Sequence, residues 1–203
     1  GDLSIQRGGA VLLSGVGAQL AGSSAVTIEE DGMFAAADNS HNHAGPLTLN
    51  GGTYRVSNSR EPIVSASGNG LAFNGGRIEF ESGGGRATFS LQSDVSYAAS
   101  STRPALWNRY STSTSQDPGL FTVELDGGNR TFNIADSSAL PAAQAEMVFM
   151  VPITNGTPAG GSITKTGSGT LQMTMTNYYT GGTIINQGVL HVMRYRADAI
   201  SGM

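Results

Sequence analysis

The sequence predicts an all-β chain wound as a solenoid of stacked coils, and three observations carry that prediction. The first is composition: 203 residues include 29 glycines, and apolar residues make up 38%, below the roughly 45–50% of ordinary globular chains. The second is strict alternation of apolar and polar residues in short runs, the mark of half-buried strands. The third is a block that returns at intervals: an alternating run, then Asn or Asp, then Gly-Gly, then another alternating run.

The block is clearest at Leu47-Thr48-Leu49-Asn50-Gly51-Gly52-Thr53-Tyr54-Arg55-Val56 and at Leu71-Ala72-Phe73-Asn74-Gly75-Gly76-Arg77-Ile78-Glu79-Phe80. A looser copy is Val123-Glu124-Leu125-Asp126-Gly127-Gly128-Asn129-Arg130-Thr131-Phe132. In the first copy, Leu47, Leu49, Tyr54 and Val56 fall on the inward parity. Asn-Gly and Asp-Gly also build two-residue hairpins, so a row of antiparallel hairpins is the alternative. The spacing favours coils: 24 residues separate Asn50 from Asn74 and 52 separate Asn74 from Asp126, close to one and two turns of a solenoid with roughly 20–25 residues per coil. At a solenoid corner, Asn and Gly tolerate positive φ, and stacked Asn side chains can hydrogen-bond between coils.

Further coils follow from the same pattern. Ala25–Ile28 with Asp31–Phe34 reads as an earlier one, and Ser162–Met175 with Thr183–Val192 as two later ones. About eight coils fit the length as a single domain over 1–203, a rod roughly 40 Å long at about 4.8 Å per coil. Two segments break the rhythm. Residues 97–119, rich in Ser and Thr and holding Pro104, Pro118 and the sole Trp, read as a projecting loop; 140–161 reads as a Pro-rich irregular segment around one buried strand at Met147–Ile153.

Charge and residue inventory exclude several classes of function. The net charge is −4, with ten Arg and one Lys, Lys165, which leaves no basic stripe for nucleic acid. Cysteine is absent, so disulfides, thiolate nucleophiles and cysteine zinc sites are absent too. No apolar run approaches the roughly 20 residues that span a bilayer as a helix. Gly1–Val16 is too polar for a signal peptide, and the chain is expected to be a segment of a longer precursor.

Candidate chemistry is sparse. Asp38, His41 and His43 are metal-ligand types on a polar turn but lack a fourth ligand, so no metal and no cofactor are expected. His191 lies between Leu190 and Val192 and should point outward. Glu79 and Glu81 share a strand face and read as solvated carboxylates, and Glu29-Glu30-Asp31 as a charged turn. Nothing resembles a nucleophile elbow. Trp107, Arg109 and Tyr110, with Arg103 nearby, combine the aromatic and guanidinium groups enriched in recognition surfaces. They are the candidate ligand-binding residues, for a host glycan or cell-surface protein; the alternative is that Trp107 and Leu106 fold back to cap the coil beneath.

The C-terminal block is the most specific. Lys165-Thr166-Gly167-Ser168-Gly169-Thr170-Leu171 and Asn177-Tyr178-Tyr179-Thr180-Gly181-Gly182-Thr183-Ile184-Ile185-Asn186-Gln187-Gly188-Val189-Leu190-His191-Val192 resemble the autotransporter-associated β-strand repeat, also called the passenger-associated transport repeat. The motif positions are Gly167, Gly169, Leu171, Asn177, Tyr179, Thr180, Gly181, Gly182, Thr183, Asn186, Gly188, Leu190 and Val192. Met173-Thr174-Met175-Thr176 departs from the Gly- or Ser-containing link usual before Asn177. The resemblance implies a right-handed parallel β-helix exported by a Gram-negative bacterium to its surface or beyond, with the repeat serving passenger folding and secretion. Inward Leu171, Met173, Met175, Ile185, Leu190 and Val192 would let one coil template the next. The expected function is thus a structural and adhesive passenger segment without enzymatic activity. The alternatives are a carbohydrate-active enzyme and a self-associating scaffold joined through the solenoid ends.

Overall fold

The computed structural model describes residues 1–13, 24–36, 45–57, 63–65, 70–81, 87–109 and 121–193. Among them are twenty strands, numbered β1 to β20 in chain order, and no helix. Every strand pairing is parallel, so the hairpin alternative does not hold.

Three sheets run along the stack. The first holds β1 (Leu3–Ile5), β3 (Val26–Ile28), β5 (Leu47–Leu49), β8 (Leu71–Phe73), β11 (Val95–Tyr97), β14 (Asn129–Ile134), β17 (Ser162–Thr166) and β19 (Thr183–Ile185), in that order. The second holds β2 (Ala10–Leu13), β4 (Met33–Ala36), β6 (Thr53–Ser57), β9 (Gly76–Glu81), β12 (Ala105–Arg109), β15 (Met147–Phe149), β18 (Thr170–Met173) and β20 (Val189–Val192). A shorter third sheet runs β7 (Ile63–Ser65), β10 (Ala87–Leu91), β13 (Phe121–Glu124) and β16 (Ile153–Thr154). Each strand lies on its counterpart one coil away, so the chain is a parallel β-solenoid.

Register makes like stack on like. In the first sheet Val26, Leu47, Leu71, Val95 and Phe132 form one inward column. In the second, Phe34, Tyr54, Ile78, Trp107, Phe149 and Met173 form another. These side chains belong to one continuous buried cluster, the shared core that lets short strands persist, since none could bury its apolar face alone.

The corners follow the predicted chemistry. Gly51 and Gly75 have φ of +84° and +76°, and Asn50 Nδ2 donates to Glu29 Oε1 of the preceding coil at 3.1 Å. Asp126 (φ +52°) and Gly127 (φ +66°) also turn sharply. Their bend joins β13 of the third sheet to β14 of the first, whereas Asn50 and Asn74 join the first sheet to the second. The third copy is therefore out of phase with the other two. A positive-φ dipeptide serves any abrupt corner, so its identity does not fix which corner it makes.

Two further expectations are corrected. The span 97–119 is not a single loop: Ala105–Arg109 is strand β12, paired with β9 on one side and β15 on the other. Glu79 is not solvated, being 4% exposed. It accepts hydrogen bonds from Arg55 Nε at 3.1 Å and Nη2 at 2.9 Å, with Arg77 Nη1 at 3.6 Å. In parallel register Arg55 lies directly against Glu79, so adjacent strands supply the counter-charge that makes burial tolerable. The run Met147–Ile153, expected as one buried strand, is buried but divided: Met147–Phe149 is β15 of the second sheet and Ile153–Thr154 is β16 of the third.

Tyr54 carries an unusual burden inside the core. Its ring stacks on Phe34 at 5.1 Å and meets Phe89 edge-on at 6.3 Å, while its hydroxyl is buried with no partner among the described residues. Burial pushes the phenol well above its ordinary range. The folded chain then holds this proton at a pH where the unfolded chain, titrating near 10, gives it up, so folding loses stability as pH rises past about 10. Tyr54→Phe keeps the ring and removes the orphan hydroxyl. It should raise stability by about 1–2 kcal/mol in urea unfolding at neutral pH and flatten the alkaline decline; a loss of stability would mean that the hydroxyl has a partner.

Candidate functional site

The terminal coils concentrate the chain's unusual chemistry. At the corner between β17 and β18, Gly167 adopts φ +72°, and Gly169 N donates to Ile134 O of the coil below at 2.9 Å. The next corner, between β19 and β20, lies above it: Asn186 N donates to Lys165 O at 2.9 Å and Val189 N to Gly169 O at 3.2 Å. Gly188 there has φ +73°.

Polar side chains tie the link between β18 and β19 to the coil beneath. Asn177 Oδ1 accepts from Ile153 N at 3.0 Å, so an Asn side chain replaces a missing strand partner. Asn155 Oδ1 accepts from Thr180 N at 2.8 Å, and the hydroxyls of Tyr179 and Thr183 lie 2.6 Å apart. Gly181 N donates to Gly161 O at 2.9 Å. Gly182, at φ +90°, then leads directly into β19.

Lys165 is the outlier. It occupies the inward column of the first sheet, between Phe132 and Ile185, and is 0% exposed. Its Nζ donates to Thr166 O at 2.6 Å, Gly167 O at 2.7 Å and, in the next coil, Gln187 O at 3.3 Å. Burial pulls the ammonium below lysine's ordinary range, and the Glu146 carboxylate partly offsets this. Glu146, 4% exposed, accepts from Thr170 N at 2.6 Å and Ser137 N at 3.4 Å. Sequence reading left Lys165 unassigned because charge implies surface. The signal was its parity: two residues after Ile163, it must face the same way.

The inward positions of the last coil stack as predicted, Ile185 on Lys165, Leu190 on Leu171 and Val192 on Met173. Leu171 and Met173 are buried, but Ile185 is 52% and Val192 63% exposed, because no described residue lies above them. Met175 falls beyond the end of β18 and is half-buried. With Met173, Tyr179 and Val192 it lines an open groove of about 720 Å³. His191 is exposed and pairs with Gln172.

The proposed ligand-binding residues do not form one surface. Trp107 is 0% exposed; its ring stacks on Phe149 at 4.6 Å and lies 5.3 Å from Phe89 and 5.7 Å from Phe73. The indole thus fills the core and offers no face to a ligand; the alternative, that Trp107 packs on a neighbouring coil, holds, although it does so from strand β12 and not from a loop folded back. Arg109 shares the inward parity of Trp107, and its guanidinium sits 5.2 Å over the Phe121 ring. Burial lowers its pKa. Arg103 lies instead on the outer corner, where Nη2 meets Glu30 Oε1 at 2.6 Å and its carbonyl accepts from Tyr97 OH at 2.8 Å. Arg7 reaches the other carboxylate oxygen of Glu30 at 3.3 Å, so the charged turn is a cross-coil ion cluster. Tyr110, Asp38, His41 and His43 lie outside the described residues.

Parallel coils with a shared core place the protein among the β-solenoids, with its most specialised coil at the C-terminal end. Residues 163–192, which carry β17 to β20 of the last two described coils, match the passenger-associated-transport-repeat family. No match is found among curated proteins or solved structures.

Proposed function

We propose that the chain is a passenger segment of an exported, autotransporter-like bacterial surface protein, a right-handed rod of about eight coils. Its terminal repeat assists folding and export. The carrying observation is the repeat match at 163–192 on two coils that continue the upstream register without a break. A coil whose corner amides and inward side chains already fit the coil below offers a template on which neighbouring chain can add.

The rod's role is structural and adhesive, not catalytic, and what it engages is a host glycan or cell-surface protein. What supports the non-catalytic part is that the two carboxylates buried among the described residues are committed to structure, Glu79 to Arg55 and Glu146 to backbone amides, leaving neither free for acid–base chemistry. Trp107 plays no part in such recognition, which must use outer-face residues such as Arg103.

Deletion of residues 165–192 in the producing cell tests the export role. Antibody labelling of intact cells should fall several-fold relative to total cellular protein. Unchanged labelling at equal protein level would overturn it.

A further inference from the structure

The carbonyl oxygens of Thr166, Gly167 and Gln187 converge on one point between the last two stacked corners, and the point is occupied by the chain's own ammonium group. Two of these oxygens belong to the lower corner and one to the upper. Convergent carbonyls of this kind suit a cation, since oxygens turned inward away from water need donors, and one ammonium brings three to a single point. The two corners and the ammonium pack without room for a methyl group at Gly188: a Cβ there would overlap the carbonyl oxygens of Gly167 and Gly169 and lie 2.9 Å from Lys165 Nζ. At the end of the lower corner where β18 begins, the buried Glu146 carboxylate accepts from Thr170 N, so the corner is held by one charge of each sign.

We propose that Lys165 is a tethered cation filling a carbonyl-lined site between the last two corners, and that it locks the final coil onto the coil beneath. The backbone ladder alone does not distinguish this junction from any other; the ammonium is the added element. It is a positioning residue, acting through the corner Asn186–Gly188, and its role does not depend on the export reading. The same geometry makes the site chemically rescuable. Truncation to Ala removes three carbons and the nitrogen, a void with the shape of propylammonium and a carbonyl cluster at its far end.

The test is amide hydrogen exchange on the full chain. In Lys165→Met, which keeps an unbranched apolar chain and removes the charge, the amides of Asn186 and Val189 should lose about tenfold or more of their protection. The amides of Arg77 and Met150, bonded between earlier coils, should stay within about twofold of the parent. In Lys165→Ala, propylammonium should restore the lost protection and propan-1-ol should not. Protection at Asn186 and Val189 that is unchanged in Lys165→Met, or lost equally at Arg77 and Met150, would overturn the proposal, as would equal rescue by the neutral alcohol. If neither variant folds, the unaltered chain still decides. Lys165 is the sole lysine, so nitrogen-15 labelling gives one lysine side-chain ammonium signal. Slowly exchanging ammonium protons are expected, and exchange as fast as that of free lysine would overturn the lock.

Discussion

Trp107→Ala should lower the unfolding free energy by about 3–5 kcal/mol, the range for truncating a large aromatic in a packed core. The residue occupies the middle of the inward column of the second sheet, with Ile78 on one side and Phe149 on the other, and rings from all three sheets touch it. Neighbouring coils cannot close the void, because each is fixed by a parallel ladder above and below. The backbone would have to leave its register for the side chains to meet. Urea unfolding followed by circular dichroism measures the loss, since the mutation removes the chain's only tryptophan fluorophore. A surface binding residue would behave differently: its replacement changes stability by no more than about 0.5 kcal/mol. A small effect would therefore return Trp107 to the surface and contradict the packing.

The misplacement of Trp107 in the sequence shows where the pattern is legible and where it fails. Alternation is readable when a Gly corner brackets it, as at Leu47–Val56 and Leu71–Phe80, because corner and parity then agree. Around Ala105–Arg109 the same alternation is present, but Pro104 and the Ser/Thr runs on both sides suggest a loop, and composition outweighs parity. Lys165 and Arg109 were hidden for a related reason. Each stands at an inward position, where hydrophobic patterning admits no charge; backbone carbonyls meet the Lys165 ammonium and the Phe121 ring lies under the Arg109 guanidinium, contacts that a sequence does not display. Glu79 was obscured by distance. Its partner Arg55 is 24 residues away and becomes a neighbour only once the coil length is known. Intra-coil grammar is local and can be read directly, whereas contacts between coils require the register.

That dependence on stacked corners gives the second large effect. Gly167→Ala should destabilise the chain by about 2–5 kcal/mol, combining backbone strain with overpacking. The position has φ +72°, where an L side chain is strained whatever the space around it. Here there is no space: a Cβ would overlap the carbonyl oxygen of Ile134 in the coil below and lie 2.8 Å from Asn133 Oδ1. Backbone cannot move aside as a long side chain can, so the corner would lift and the Gly169 N to Ile134 O bond would lengthen. Gly1 provides the comparison, with nothing within 4 Å of its Cβ position and no positive φ. Gly1→Ala should change the urea midpoint by no more than the equivalent of about 0.5 kcal/mol. Because the carbonyl of Gly167 also receives the Lys165 ammonium, lifting this corner should raise exchange first at Asn186 and Val189 and only then in the upstream coils. A Gly167→Ala chain as stable as the parent would mean that the corners are not in van der Waals contact, and would remove the close stacking on which templated addition of coils depends.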